Sequence, residues 1–462
     1  MTYASEKSLS LRLRQFAHYS LYWQLLMLVA LAALLVIPLF FQAPKYIWQT
    51  PWNNAQLFSE WVLWALWYPG TLLSVLLVGR LWCGVLCPLG AMSEWASHIG
   101  MRVRLPQWVK HPATTALSFV WVTIWAQTLD VRDDLHSAAI LFAIIFVLAI
   151  GCGLLFGSHN SQGRRVWCRH LCPIGSVLGV FSRLGKLNVM AKQPHGDTEG
   201  YRIDGLCPTG IELRTKQSSR HCIKCMRCVT PQKRGGMAIE VRPIGDEIQH
   251  IEQHAPCFSE LWFIWLAPGL AVAGFVWSSS PIYVSLRQWL GHFALSHQWY
   301  TWLQPGPNWL MEQSSALNQH YLWLDMISIG IFMLLCALIL AGLLALGAMA
   351  GARLLGHRHL LMSQRISEFG YQFAPMAMLC ILLGLGSTLF ASLKSELGGG
   401  ERPLLLVLVG AALAFNLLHG QRWLRQQNLS PLRAIAAFSV LLSGCLCLVL
   451  ATGWSIFPAL SI

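Results

Sequence analysis

Eight cysteines carry the chemistry that this sequence can be read for. The phrase Arg80-Leu-Trp82-Cys83-Gly-Val-Leu86-Cys87-Pro88-Leu-Gly90 returns 85 residues later as Arg165-Val-Trp167-Cys168-Arg-His-Leu171-Cys172-Pro173-Ile-Gly175. A partial third copy, Leu206-Cys207-Pro208-Thr-Gly210, has Ile203 where the first cysteine would stand, and Cys222-Ile-Lys-Cys225-Met-Arg-Cys228 follows closely. A cubane iron–sulfur cluster needs four thiolates converging on one small volume. A Cys-x-x-Cys-x-x-Cys loop wraps one face and supplies three; the fourth comes from a distant cysteine, commonly one followed by proline. The local fourth position here is Gln232, preceded by Pro231. Cys207 is the nearest substitute. That gives Cys207, Cys222, Cys225 and Cys228 as one [4Fe–4S] set, and Cys83, Cys87, Cys168 and Cys172, two from each repeat, as a second. An alternative has the loop taking Cys87 or Cys172 as its fourth ligand while Cys207 moves to the other cluster. The sequence leaves that pairing open; the total of eight is firmer.

Competing chemistries fit less well. Zinc also takes four cysteines, but its sites favour paired cysteines and seldom use a third at this spacing. Covalent c-type haem is disfavoured because Cys225 is followed by Met226 and not by histidine. His136, His292, His320 and His419 sit at span ends with no pairing that marks a haem. Arg80, Arg165, Arg169, Lys224 and Arg227 flank the cysteines. Cations there would stabilise an anionic cluster and raise its potential, or simply mark a cytoplasmic face; the two readings weigh equally. Trp82 and Trp167 either shield a cluster or anchor helix ends at the membrane interface.

The elements that must position these residues are membrane helices. Of 462 residues, 55% are hydrophobic and 11% charged, more apolar surface than a soluble chain of this size can bury. Apolar runs long enough to span occupy 21–41, 60–79, 112–129, 137–157, 261–280, 322–352, 371–392, 403–420 and 432–452. The first run is too long for a signal-peptide core and lacks a cleavage site, so it reads as a retained span. Each cysteine repeat follows a hairpin of two spans, as an internal duplication would give. Residues 158–258 are polar, with scattered Gly and Pro, and form an extramembrane domain of loops and short elements. The Trp-rich stretch 281–321 reads as an interfacial loop or surface helix.

With the N-terminus inside, nine spans place 28 of the 33 Lys and Arg residues on one side and 5 on the other. The positive side is cytoplasmic, so all eight motif cysteines face a compartment that keeps thiols reduced. The formal charge of +13 is accounted for by these loops, and no nucleic-acid motif accompanies it. Cys152, Cys336, Cys380, Cys445 and Cys447 lie in apolar runs as small buried hydrophobes; Cys257 has no companion nearby.

Duplicated Cys-x-x-x-Cys-Pro after paired helices, followed by a ferredoxin-like cysteine loop, resembles the membrane-bound polyferredoxins of the NapH, NosR, MauN and CcoG kind, over roughly residues 20–235. The resemblance implies quinol oxidation feeding periplasmic reductases, maturation of periplasmic metalloenzymes, or copper reduction for oxidase assembly. The chain departs from the family in having one incomplete ferredoxin loop in place of two full ones, and five further spans after residue 258.

The expectation is therefore an α-class, polytopic helical membrane protein of about nine spans. Residues 1–157 form a membrane domain with two duplicated hairpins, 158–258 a cytoplasmic iron–sulfur domain, and 259–462 a C-terminal membrane domain of about five spans. Its function is electron transfer in the bacterial inner membrane through two [4Fe–4S] clusters, between the quinol pool or a cytoplasmic donor and another redox protein, as a quinol dehydrogenase-type component. Its partners are lipid, the quinone pool and that redox protein, and not nucleic acid. A copper or iron reductase serving metalloenzyme maturation is the alternative. A transporter with a structural metal domain, motivated by the extra spans, is opposed by the scarcity of charge within them.

Overall fold

Long apolar runs in a chain without water to satisfy its backbone must become helices, and they do. The computed structural model describes residues 3–44, 46, 48–157, 164–191, 207–229, 237–314, 319–355, 361–386, 389 and 401–456. Ile203, Leu206, Pro231 and Gln232 lie outside these residues. Among the described residues, eight helices are long and apolar enough to cross a membrane: Ser20–Phe40, Ala55–Val78, Leu135–Phe156, Phe258–Ser279, Trp323–Leu354, Met362–Leu385, Pro403–Gln426 and Pro431–Trp454. The chain is a polytopic helical membrane protein.

Two spans differ from expectation. The run at 112–129 is a helix of 17 residues, Pro112–Thr128, which at 1.5 Å per residue reaches about 25 Å and falls short of a hydrocarbon core of roughly 30 Å. Pro112 fixes its start, and a turn with left-handed Asp130 (φ 52°) follows its end. The span expected at 371–392 begins earlier, at Met362. Its first turns, Ser363-Gln-Arg-Ile-Ser-Glu, are too polar for a hydropathy reading, yet Ser367, Glu368 and Phe369 are buried there.

By contacts the chain divides into two compact units, one of residues 1–34, 70–119 and 142–255, the other of 35–69, 120–141 and 256–462. The first holds every motif cysteine. Its polar segment is built on a two-stranded antiparallel sheet, β1 (Leu187–Ala191) and β2 (Met237–Val241), in register Leu187 to Val241. Val189, Met237 and Ile239 of this sheet bury against Leu81, Val85, Met226, Val229 and, from the N-terminal helix Tyr3–His18, Ala17. The apolar face of the sheet is thus what seats the cysteine loop.

In the second unit the helix Met362–Leu385 is almost wholly enclosed, contacted by the helices Phe258–Val276, Pro431–Ile456 and Glu401–Gln426. It breaks at the single turn Tyr371–Phe373 before Pro375. Asn416 repairs the break: its Oδ1 accepts from the Met376 amide (3.1 Å) and its Nδ2 donates to the Gln372 carbonyl (2.9 Å). Without a side-chain partner, those backbone groups would be stranded away from water. Within 281–321, read as an interfacial loop or surface helix, lies the helix Pro281–Ser296, with Trp289 exposed.

Candidate iron–sulfur centre

The two copies of the repeated phrase fold alike. Trp82–Leu86 and Trp167–Leu171 are each one π-helical turn, an uncommon widened turn that is frequent at functional sites. It closes with the Cys87 amide donating to the Trp82 carbonyl and the Cys172 amide to the Trp167 carbonyl, both at 2.8 Å. Cys87 and Cys172 then leave the turn with extended backbone and cap the helices Pro88–Ser97 and Pro173–Phe181, with proline at the start of each, where a missing N–H costs nothing. Cys172 Sγ accepts from the Gly175 amide at 3.3 Å. Both sulfurs therefore stand at the positive end of a helix.

The copies also clasp each other. Arg165 Nη1 donates to the Cys83 carbonyl at 2.5 Å, and Arg80 Nη2 donates to the Cys168 carbonyl at 3.3 Å. Each repeat's arginine thus reaches the first cysteine of the other repeat, and both are buried, 2% and 0% exposed for Arg80 and Arg165. The repeat's glycines make room: a Cβ on Gly90 would stand 3.0 Å from Arg165 Nη1 and 3.1 Å from Cys168 Sγ, and one on Gly175 3.3 Å from Arg80 Nη2. These two arginines do more than add positive charge beside the cysteines.

The symmetry breaks just past the repeated phrase. Glu94 follows the first copy where Gly179 follows the second. Arg165 Nε pairs with Glu94 Oε2 at 2.7 Å. Arg80 instead donates from Nη1 to the Arg220 carbonyl at 2.6 Å, which approaches Gly179 closely enough that a Cβ there would lie 3.2 Å away. Arg227, beside Cys228, binds the other Glu94 oxygen.

The loop Cys222–Cys228 takes left-handed backbone at Lys224 (φ 51°) and Met226 (φ 57°). Such alternation turns successive N–H groups into a concavity suited to anions, as at many iron–sulfur sites. The loop lies on the first repeat, with Gly84 against its Ile223 carbonyl and Cys225 amide. Lys224 Nζ donates to the Leu187 carbonyl and so ties the loop to β1. The partial copy is carried by the second repeat: the Arg165 amide donates to the Pro208 carbonyl at 3.0 Å, and Arg169 Nη1 to those of Thr209 and Gly210.

The eight thiols fall into two groups of four. Cys207, Cys222, Cys225 and Cys228 line one cavity, with Val189, Ile223, Met226 and Met237 among its apolar walls. Cys172 lies within electrostatic reach of Cys168, Cys87 and Cys83, and Cys87 within reach of Cys83 and Cys168. Burial, reinforced by these neighbouring thiols, pushes Cys87 up to about 12; burial pushes Cys168 and Cys225 to about 11 against the pull of Arg165 and Arg227. Packed thiolates that repel one another need positive charge at their centre. Unpartnered buried donors stand beside them: Arg80 Nε, Arg165 Nη2 and Trp167 Nε1. These residues fit an anionic cluster. Among the described residues no three His, Cys, Asp or Glu side chains converge closely enough to grip one ion, as thiolates about 3.8 Å apart around zinc would. A four-iron cubane sets its thiolates wider.

All fourteen cysteines are free thiols, and Cys152, Cys380 and Cys445 are buried while Cys336 and Cys447 are half-buried. Glu94 is the site residue that spacing misses. Its one signal is a lone acid in an otherwise uncharged helix, at a position where the second copy has glycine.

Residues 60–106 and 136–189 match the family described as "4Fe-4S binding domain", one copy of the repeated phrase in each stretch. The chain is 25% identical over 185 residues to the ferredoxin-type protein NapH of Escherichia coli, covering 34% of this chain and 61% of that protein. It is 29% identical over 178 residues to the protein NirI of Paracoccus denitrificans, covering 34% and 25%, and 22% identical over 168 residues to an uncharacterized protein of Methanocaldococcus jannaschii, covering 35% and 65%. The chain thus spans less than two thirds of each of these relatives. No solved structure matches it. The resemblance to membrane-bound ferredoxin-type proteins holds, and with it an iron–sulfur role.

Proposed function

We propose that this protein holds two [4Fe–4S] clusters, one on Cys83, Cys87, Cys168 and Cys172 and one on Cys207, Cys222, Cys225 and Cys228, and passes single electrons from the quinol pool or a cytoplasmic donor to another redox partner. It works in the bacterial inner membrane with both clusters on the cytoplasmic side. The observation that carries this reading is the grouping of eight thiols into two fours that share backbone contact at Gly84 and Cys225. Each bound cluster supplies reversible uptake of one electron at a potential set by charge, hydrogen bonding and burial. The chain does the rest. Eight thiolates hold the metal, and the cross-repeat arginines offer N–H groups to an anion. The apolar walls of the loop site keep water out, and backbone contact between the two sites shortens the path an electron must take.

Anaerobic purification should return about eight iron and eight acid-labile sulfide per chain. Cys225→Ser should roughly halve both, leaving the Cys83 set loaded. A quinol such as menadiol should then bleach the clusters of the intact protein in membranes. Zinc without sulfide would end the proposal, and clusters that a quinol never reduces would leave the cytoplasmic donor as the source.

A further inference from the structure

Between the two groups of thiols lies one carboxylate. Glu94 is 5% exposed and stands on the helix Pro88–Ser97 that Cys87 caps. Its Oε2 accepts from Arg165 Nε at 2.7 Å, and its Oε1 from Arg227 Nη1. Each arginine belongs to a different site. Arg165 donates to the Cys83 carbonyl and lies within electrostatic reach of Cys168. Arg227 immediately precedes Cys228 and acts on Cys225, as Arg165 does in turn. Glu94 itself acts on Cys168. A single anion thus clamps two cations, and the three charges bridge the first site to the second.

Burial is what gives the arrangement consequence. Arg165 is buried and Arg227 reaches in from the surface, and side by side their guanidinium groups repel each other. A shared carboxylate lets both stay, and removing one member of the buried Arg165–Glu94 pair leaves an uncompensated charge. The duplication sharpens the point. The equivalent place after the second repeat is Gly179, and there the arginine of the first repeat finds a backbone carbonyl. A backbone carbonyl would have served Arg165 as well, had holding it in place been all that was required. A carboxylate adds a charge, which acts directly on Cys168 and meets the loop site through the Arg227 it pairs with.

We propose that Glu94 is a positioning residue that holds Arg165 and Arg227 in place and, through its charge, sets the potentials of the two clusters together. This rests on the two-cluster reading above. An electron added to either cluster raises its negative charge, so the carboxylate opposes reduction at both, and the two arginines favour it.

The test is a potentiometric titration of the whole purified protein, followed by electron paramagnetic resonance, with the signals assigned from Cys83→Ser and Cys225→Ser. Glu94→Gln keeps the shape and one accepting oxygen and removes the charge, while its NH2 group cannot accept from the second arginine. It should favour the reduced form by about tenfold at both clusters, a rise of about 59 mV for a one-electron couple. Arg227→Gln should move the loop cluster the opposite way and by more than the other cluster. Glu94→Asp should restore much of the native values. If Glu94→Gln loads a normal complement of iron and sulfide yet leaves both potentials unmoved, or moves one alone, the inference falls while the two-cluster reading stands. Absence of clusters from the wild-type protein would remove both. Should Glu94→Gln fail to load clusters, Arg227→Gln decides the matter by itself: the inference is overturned unless the loop cluster becomes harder to reduce.

Discussion

Gly84 has space for a hydrogen and nothing larger. A Cβ there would stand 2.2 Å from the Ile223 carbonyl oxygen and 2.8 Å from the Cys225 amide nitrogen. Both are backbone atoms of the cysteine loop, so neither can swing aside as a side chain would. Gly84→Ala must therefore lift the loop off the first repeat, at a cost of about 2 kcal/mol for an overpacked contact, and should lower the iron content toward that of one cluster. Gly151, in the span Leu135–Phe156, has nothing within 4 Å of the same atom; Gly151→Ala should stay within about 1 kcal/mol of the native protein and keep its iron. Thermal unfolding in detergent together with iron analysis separates the two. A Gly84→Ala protein as stable and as iron-rich as wild type would mean that the contact between repeat and loop is not what seats the loop. In the sequence Gly84 is one of the free positions between Cys83 and Cys87, and nothing in the repeat distinguishes it, because the atoms that crowd it lie about 140 residues away.

At the scale of elements, the sheet that carries the loop is locked by a buried ionic group. Glu247 Oε1 pairs with Arg183 Nη1 at 2.9 Å and Oε2 with Arg242 Nη2 at 2.7 Å. This joins the turn after the helix Pro173–Phe181 to the end of β2. Burial pushes the Glu247 carboxyl up, but Arg183 and Arg242 more than reverse it and hold it at about 2. The folded value lies below the unfolded one, near 4.3. The stabilisation is therefore complete above about pH 4.3 and is lost as pH falls toward about 2. Glu247→Gln should cost about 3 kcal/mol at pH 7, with the penalty shrinking between pH 4 and pH 3. An equal penalty at pH 7 and pH 3 in thermal unfolding would show that the charge contributes nothing. The existence and rough length of the helices were legible from apolar runs, and so was the place of the cysteine loop, because spans and thiolate spacing are properties of neighbouring residues. The two-stranded sheet was not, since β1 and β2 are five-residue strands that stabilise each other across the intervening chain. The early start of the span at Met362 was hidden by polar residues buried against other helices, and the grouping of the cysteines needed contacts that no spacing encodes.

Parity ties the whole molecule to its repeats. Between the two repeats lie the helices Pro112–Thr128 and Leu135–Phe156. The second is long enough to cross a membrane and the first is short. Yet Cys83, Cys87, Cys168 and Cys172 meet at one place, so both repeats must face the same side. Two connecting helices allow that only if both cross or neither does. A run of 22 residues with mean hydropathy 2.9 belongs in the bilayer, so the 17-residue helix must cross too, with local thinning of the bilayer making up the few missing ångströms at modest cost. In the proposed orientation, where the side rich in Lys and Arg is the inner one, both repeats face inside. Reporter fusions after residues 105 and 186 should accordingly read as cytoplasmic, and one after residue 133 as external. If 105 and 133 report the same side, the short helix does not cross, the two repeats face opposite sides of the membrane, and four of the eight thiols could not share a cluster.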